Sequence, residues 1–218
     1  MAKTLLIVPT RHRPTACDAL LKQFQETSED CDILFGIDED DFSPYSDEVM
    51  AKASVNPRLR MCGTLNLLAA KHANDYEYLA FMGDDHRPMT KGWDTELARS
   101  IGDRPGVAYG NDLLQRENLP TAVMMSASIV RAIGYMAPPT LIHLYMDNFW
   151  KALGQELGNL VYRGDIIIEH LHPIAGKADN DAGYIEVNSA EVYTKDAVAF
   201  DRYLRDQFAQ DLRKILSK

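Results

Sequence analysis

Two adjacent aspartates follow an apolar run in the segment FMGDDHRP, which covers residues 81–88. Neighbouring carboxylates repel each other, so Asp84 and Asp85 need a reason to lie together at the end of a buried strand. Oxygen ligands of this kind suit a hard divalent cation such as Mg²⁺ or Mn²⁺, which often also bridges to substrate phosphates. The alternative is a solvated strand end followed by a turn. The pair therefore raises a metal-site hypothesis that other segments must support or weaken.

Two further apolar runs also end in polar residues. PTRHR, at residues 9–13, follows TLLIV, and DEDD, at residues 38–41, ends CDILFGID. In open α/β sheets, ligands bind beyond the carboxyl ends of the strands, so these loops should meet residues 83–86 around one crevice. Arginine matches phosphate oxygens through a forked set of donors. Arginines, carboxylates and a glycine that permits close approach together indicate a nucleotide-diphosphate site.

Apolar periodicity predicts the elements that position these loops. We expect strands at TLLIV, CDILFGID, NPRLRMCG and YEYLAFM, and helices at TACDALLKQFQE and TLNLLAAKHAND. This cadence is typical of an α/β domain with a mostly parallel sheet. In the second half we expect helices at GWDTELARSI and YMDNFWKALGQELG, two short strands within NLVYRGDIIIEHLHP, and one long C-terminal helix. The polar loop IAGKADNDAGY is a candidate lid.

The composition is that of an acidic globular chain of 218 residues, with 46% apolar and 25% charged residues. The excess of 32 Asp+Glu over 23 Lys+Arg gives a formal charge of −9, which disfavours nucleic-acid backbones as the main partner. Three cysteines without a CxxC pair fit a reducing compartment better than a disulfide scaffold. No segment has the length of a membrane span or a signal-peptide core. We therefore expect a cytoplasmic protein without integral membrane association.

The order of the motifs resembles that of a GT-A-fold glycosyltransferase and is similar to glycosyltransferase family 2. VPTRHRP is similar to the family's first loop, GIDEDD to its base-reading strand end, and GTLNLLAAKHAND to its next helix. YLAFMGDDHRP stands where the family has Y-I-A-F-L-D-x-D, YMDNFWKALGQELG where it has an acidic helix start, and IIIEHLHP where it has a late histidine. The resemblance covers roughly residues 4–173.

The resemblance implies a single GT-A-like domain over residues 1–218, with a mostly parallel central sheet flanked by helices. Its nucleotide-binding half would cover about residues 1–105, its acceptor-binding half about 106–190, and a C-terminal helix about 191–218. No repeat, linker or low-complexity tract divides the chain, which agrees with one domain.

The resemblance also implies roles for single residues. Asp38 would hydrogen-bond the nucleobase, and Asp84 would lie near the ribose or diphosphate. Asp85 would bind Mn²⁺ or Mg²⁺, and Asp147 would be the general base. Helix N-capping is the alternative for Asp147, since it stands where a cap belongs. The remaining implied donor-binding positions are Pro9, Thr10, Arg11, Arg13, Asn66, Gly83 and Lys177.

Two details of the metal site follow from the same motifs. The first aspartate of the family's D-x-D falls on Gly83, a departure that affects the expected ribose contact and leaves the metal contact of Asp85 intact. The segment EHLHP offers His170 and His172 on one face of a strand. We favour His172 as the ligand that completes the metal shell, because it lies nearer the strand end.

The implied reaction is metal-dependent, inverting transfer of a sugar from a nucleotide-diphosphate sugar to a hydroxyl acceptor. Asp147 would take the acceptor's proton, and the cation would stabilise charge on the leaving diphosphate. The motifs do not specify the acceptor, which could be a protein, a nucleic acid or a glycan, or the oligomeric state.

Three other readings compete with this reaction. A nucleotidyltransferase of related fold would carry a glycine-rich loop with a lysine after the first strand, and PTRHRPTA has no glycine. A non-catalytic sugar-nucleotide-binding protein would keep Asp38 and Asp85 but need no base. An aspartate-nucleophile phosphatase would need D-x-D-x-[TV] after the first strand, and VPTRHRP has no carboxylate.

Overall fold

The computed structural model describes residues 3–171 and 189–217. Within them, the strands are β1 (Thr4–Thr10), β2 (Cys31–Asp38), β3 (Ala53–Asn56), β4 (Tyr78–Phe81), β5 (His86–Pro88), β6 (Val107–Asn111), β7 (Val123–Ser126) and β8 (Leu160–His170). The helices are α1 (Pro14–Thr27), α2 (Asp47–Met50), α3 (Arg60–His72), α4 (Trp93–Ile101), α5 (Ala127–Ile133), α6 (Met146–Glu156), α7 (Ala190–Asp206) and α8 (Phe208–Leu216), with a 3-10 turn at Arg116–Asn118.

The strands form one mixed sheet in the order β3-β2-β1-β4-β7-β6-β8-β5. Strand β1 is parallel to β2 and β4, β2 to β3, and β6 to β8, whereas β7 is antiparallel to both neighbours and β5 to β8. The expected mostly parallel sheet is therefore confirmed. Because β1, β2 and β4 run side by side in one direction, their carboxyl ends meet at one edge.

The continuous apolar run of β1 is explained by burial on both faces of the sheet. Leu5 and Ile7 belong to a core under α3, α5 and α6, while Leu6 and Val8 belong to a second core under α1 and α4. The largest buried side chain of the first core is Trp150, and that of the second is Trp93. Helices on both sides thus hold β1 at the centre of the molecule.

The expected strand at NPRLRMCG is wrong. Strand β3 ends at Asn56, the first residue of this segment, and residues 60–63 form the first turn of α3 instead. Pro57 has no backbone N–H for a sheet ladder, which ends the strand there. Cys62 then faces the core at helical spacing with Leu65 and Leu68, so the apolar residues of this segment belong to a helix.

The two short strands expected within NLVYRGDIIIEHLHP are one strand, β8. Its register against β6 shifts between Gly110 and Asn111, which pair with Arg163 and Ile167. A Cβ on Gly110 would lie 2.6 Å from the backbone oxygen of Ile166, so only glycine fits beside the bulge. The unpaired residues of the bulge include the exposed polar residues that suggested a break between two strands.

The single long C-terminal helix is also wrong, because Gln207 separates α7 from α8. The break turns α8 so that Phe208 and Ile215 pack on the same core as Tyr203, whereas Leu204 is exposed. Among the described helices, none is both long and apolar enough to cross a bilayer. The candidate lid lies outside the described residues.

Candidate functional site

The ends of β1 and β4 hold the first polar group of the site. Thr10 donates its hydroxyl hydrogen to Asp84 Oδ2 at 2.6 Å, and Arg13 Nη1 lies 3.1 Å from Asp84 Oδ1. Burial raises the pKa of Asp84 to about 6, although the charge of Arg13 acts in the opposite direction. Three of the residues expected at the donor site therefore lie together at the carboxyl edge of the sheet.

The end of β2 brings together a second group. Arg11 Nη1 donates to Asp38 Oδ2 at 2.9 Å and also pairs with Asp40, and Arg58 Nε lies 4.0 Å from the same oxygen of Asp38. The carboxylate of Asp41 accepts from the backbone N–H of His12 at 2.7 Å. These contacts tie the loop after β1 to the loop after β2, as the topology predicts for neighbouring parallel strands.

Asp85 contacts two histidines. Its Oδ1 lies 3.2 Å from His86 Nδ1, and its Oδ2 lies 3.3 Å from His170 Nε2. Residues 86 and 170 are directly paired between β5 and β8, so their rings stack with centroids 4.2 Å apart. Burial acts to raise the pKa of Asp85, but hydrogen bonds from both histidines hold it well below its ordinary value. Burial and the neighbouring His170 lower the pKa of His86.

The donor set fits a divalent cation. One ligand atom from each of Asp85, His86 and His170 lies within 4.8 Å of the others. His86 is 2% exposed, and its Nε2 has no hydrogen-bond partner among the described residues. A buried nitrogen without a partner is costly unless another ligand satisfies it. Carboxylate and imidazole ligands together suit ions such as Mn²⁺.

Backbone contacts fix the position of His170. Its N–H donates to the backbone oxygen of Asp112 at 3.0 Å, and the N–H of Leu171 donates to the backbone oxygen of Asp85 at 2.9 Å. The carboxylate of Asp112 in turn accepts from the three backbone N–H groups of residues 114–116 and from the hydroxyl of Thr121. The loop that follows β6 thus holds the candidate metal ligand His170 in position.

Asp147 lies in the first turn of α6. Tyr145, in a left-handed conformation with φ of 65°, occupies the N-cap position. Asp147 is therefore not the N-cap residue, and the capping alternative is wrong. The Oδ1 atom of Asp147 accepts from the N–H of Asn148 at 2.9 Å. Burial raises the pKa of Asp147, and the charge of His170 is near enough to lower it.

The remaining predicted residues are placed differently. Asn66 uses its amide to hold a loop, because its oxygen accepts from the N–H groups of Met136 and Ala137 and its nitrogen donates to the oxygen of Ala137. Pro9 is buried within β1 beside Gly36 of β2. His172 and Lys177 lie outside the described residues, so their roles stay predictions.

Sequence reasoning left His86 unassigned and ranked His170 second. The signal that was available is the position of the two residues, since His86 begins β5 and His170 ends β8. Their partnership depends on the register between β5 and β8, which one sequence does not specify. The buried Asp112 and Asp196 gave no signal, because a lone aspartate in a loop or helix has no motif.

No protein-family model and no curated protein matches the sequence. Solved structures do match. A mannosyltransferase, PcManGT from Pyrobaculum calidifontis, in complex with GDP-Man and Mn²⁺, superimposes with a TM-score of 0.58 over 99% of this chain and 73% of its own, at 10% identity. TarS 1–349 of S. aureus, in complex with UDP, gives 0.57 over 95% and 73%, at 13% identity.

Glucosyl-3-phosphoglycerate synthase from Mycobacterium tuberculosis, in complex with Mn²⁺, UDP and phosphoglyceric acid, gives a TM-score of 0.54 over 91% of this chain and 78% of its own, at 9% identity. The chain therefore has the GT-A fold, as the sequence motifs predicted. At such identities the likeness establishes the fold alone.

Proposed function

We propose that this protein is a cytoplasmic, metal-dependent glycosyltransferase that moves a sugar from a nucleotide-diphosphate sugar to a hydroxyl acceptor, with inversion. The observation that carries the proposal is the cluster of Asp85, His86 and His170, beside the strand-end residues Thr10, Arg13 and Asp84. In GT-A neighbours that contain Mn²⁺ with GDP-Man or UDP, the same fold accommodates the ligands proposed for this chain.

The residues divide the work between donor and acceptor. Asp38 is assigned to the nucleobase, and Arg11 and Arg13 to the charges of the nucleotide, since guanidinium groups bind phosphate oxygens through paired hydrogen bonds. The cation, Mn²⁺ or less favourably Mg²⁺, would be held by Asp85 and a histidine, and when bound it supplies positive charge to the leaving diphosphate. The single domain would offer residues 1–105 mainly to the donor.

Asp147 is assigned as the base that accepts the proton of the acceptor hydroxyl. Burial raises its pKa, and a carboxylate of raised pKa is a stronger base at neutral pH. Its position in the first turn of α6 fixes its backbone within a helix. A binding protein without catalysis would have no use for this carboxyl, so replacing Asp147 distinguishes a transferase from a binding protein.

The test measures donor binding and donor turnover separately. Thermal unfolding is recorded with UDP-, GDP-, CDP- and TDP-sugars, each with and without Mn²⁺, and a bound donor at about 100 times its Kd should stabilise the protein by about 2.7 kcal/mol. Nucleotide release then reports transfer or hydrolysis. Asp147→Asn should keep the thermal shift and lose about 10²- to 10⁴-fold in turnover.

Asp85→Ala should remove the Mn²⁺-dependent part of the shift. Asp103→Ala, which changes an exposed aspartate outside the site, is the matched control and should behave as the parent. A donor shift with full turnover in Asp147→Asn would reject Asp147 as the base. Absence of a shift with every one of these donors, with and without Mn²⁺, would reject the transferase.

A further inference from the structure

Gly83 marks the most crowded point of the metal cluster. A Cβ at this position would lie 2.6 Å from Asp85 Oδ1 and 3.2 Å from His86 Nδ1. Carbon and oxygen do not approach so closely without a shift, so any side chain at position 83 would turn the Asp85 carboxylate away from His86. The backbone of Gly83 is not left-handed. The need for glycine is therefore one of space and not of conformation.

His86 fills the space that Gly83 leaves. Its Nδ1 lies 3.1 Å from the N–H of Gly83 and 3.2 Å from Asp85 Oδ1, and its ring stacks on His170. The imidazole is almost fully buried, although Nε2 has no hydrogen-bond partner among residues 3–171 and 189–217. Packing alone would not place two polar rings and a carboxylate together, because each loses hydration there.

We propose that His86 is a metal ligand, which lies against Asp85 because Gly83 has no side chain. The protein would then offer the cation one carboxylate and two imidazoles, from Asp85, His86 and His170. This inference rests on the proposed function for the role of the site, and adds to it the ligand set and the metal preference. It also accounts for the departure at Gly83, since a side chain there would turn the Asp85 carboxylate away from His86.

The ligand set determines which cation is preferred. Mg²⁺ requires oxygen ligands and keeps several of its waters, whereas imidazole nitrogen suits later and more polarisable ions. One carboxylate against a divalent charge also leaves a positive site, which favours the diphosphate of a donor. Three convergent side chains can bind the ion before any nucleotide arrives. The site should therefore bind Mn²⁺ in the absence of nucleotide, and should bind it more tightly than Mg²⁺.

The experiment is calorimetric titration of the metal-free protein with MnCl₂ or MgCl₂, without nucleotide. Mn²⁺ should bind at least about tenfold more tightly than Mg²⁺. His86→Ala should weaken Mn²⁺ binding by about tenfold or more, since even outer-shell changes have effects of that size. His72→Ala, which removes a histidine on the far end of α3 paired with Asp75, should leave Mn²⁺ binding unchanged.

Two further variants protect the test from misfolding. Gly83→Ala leaves both histidines in place but turns the Asp85 carboxylate, so it should also weaken Mn²⁺ binding while circular dichroism stays unchanged. If His86→Ala does not fold, His86→Gln replaces it and should lower the preference for Mn²⁺ over Mg²⁺. Equal binding of the two ions by the parent, or parent-like Mn²⁺ binding by the His86 variants, would overturn the inference.

The two proposals fail separately. Mn²⁺ binding that depends on His86, without any nucleotide-sugar shift, would leave the ligand set standing and reject the transferase. Donor turnover that tolerates His86→Ala, with unchanged Mn²⁺ affinity, would leave the transferase standing and reject His86 as a ligand.

Discussion

The two regions that bring candidate residues to this site are held in contrasting ways. At the ends of β1, β2 and β4, side chains of opposite charge hold one another: Arg11 pairs with Asp38, and Arg13 with Asp84. In the loop of residues 141–145 ahead of α6, the backbone itself is held, by the carboxylate of Asp196 on α7.

The anchor in the second region is a buried carboxylate. Asp196 is 0% exposed and accepts hydrogen bonds of 2.7–2.9 Å from the three consecutive N–H groups of residues 142–144. The next residue, Tyr145, has a φ of 65° and packs against Phe200 and Tyr193 of α7. The C-terminal helix therefore shapes the loop that leads directly into Asp147.

Because the two regions are held by different kinds of contact, they should respond differently to a ligand. Ion pairs between side chains can exchange partners, so the charges of a bound nucleotide can replace Asp38 or Asp84 as partners of the arginines without refolding. A backbone held by a buried carboxylate has no such freedom, because its N–H groups would be left without acceptors. The side-chain pairs of the first region should tolerate substitution, and the buried backbone anchor of the second region should not.

The largest effect is expected for Asp196→Ala. Three buried N–H groups lose a charged acceptor, so the free energy of unfolding should fall by about 3 kcal/mol or more. Urea unfolding followed by circular dichroism measures the loss. Asp201→Ala, on an exposed position of the same helix, is the control and should stay within about 0.5 kcal/mol of the parent. A fall of less than about 1 kcal/mol for Asp196→Ala would show that the loop is held by other contacts.

The next effect is on pH dependence and concerns His143, in the same loop. Burial lowers the pKa of His143 to about 4, although Asp196 and Asp85 act in the opposite direction and Arg13 adds to the lowering. The unfolded chain binds this proton below an ordinary pKa of about 6.5, so the folded state loses stability as the pH falls from about 6.5 towards 4. Above pH 6.5 the side chain is neutral in both states and contributes no pH dependence.

The expected loss over this window is roughly 3 kcal/mol. Urea unfolding in EDTA buffers at pH 7 and pH 4 measures it in the absence of metal. His143→Gln cannot titrate, so its unfolding free energy should fall less than that of the parent over the same interval. Equal falls in the parent and the variant would mean that His143 titrates normally in the folded state.

The contrast also explains what could be predicted from sequence. The residues Arg13, Asp84 and Asp85 lie within five residues of the end of an apolar run, so local pattern and the rule for parallel strand ends were enough to bring them together. The same reasoning placed β1, β2 and β4. In that region the candidate functional residues also make the ion pairs that hold the loops together. The motif therefore predicts both the site and the contacts that position it.

Features that depend on contacts between distant segments could not be predicted in this way. His86 and His170 meet only through the register between β5 and β8, and Asp196 reaches the 141–145 loop from α7. The strand expected at NPRLRMCG was wrong because its apolar residues fit both periods over so short a run. The break at Gln207 allows α8 to pack on the core, and helical periodicity does not predict such a break. Long-range contacts decided each of these outcomes.

The smallest effect is expected for Asp40→Asn, at the edge of the first region. Asp40 is exposed and pairs with Arg11, which retains Asp38 as a partner, and exposed ion pairs contribute little to stability. The urea midpoint should therefore not change measurably, at low or at high salt. Asp41→Asn, one residue away, is the matched comparison and should lower the midpoint, because Asp41 accepts from the backbone N–H groups of His12 and Ser43. A loss for Asp40→Asn as large as that for Asp41→Asn would mean that side-chain pairs hold the first region as firmly as backbone anchors do, and the contrast between the two regions would fail.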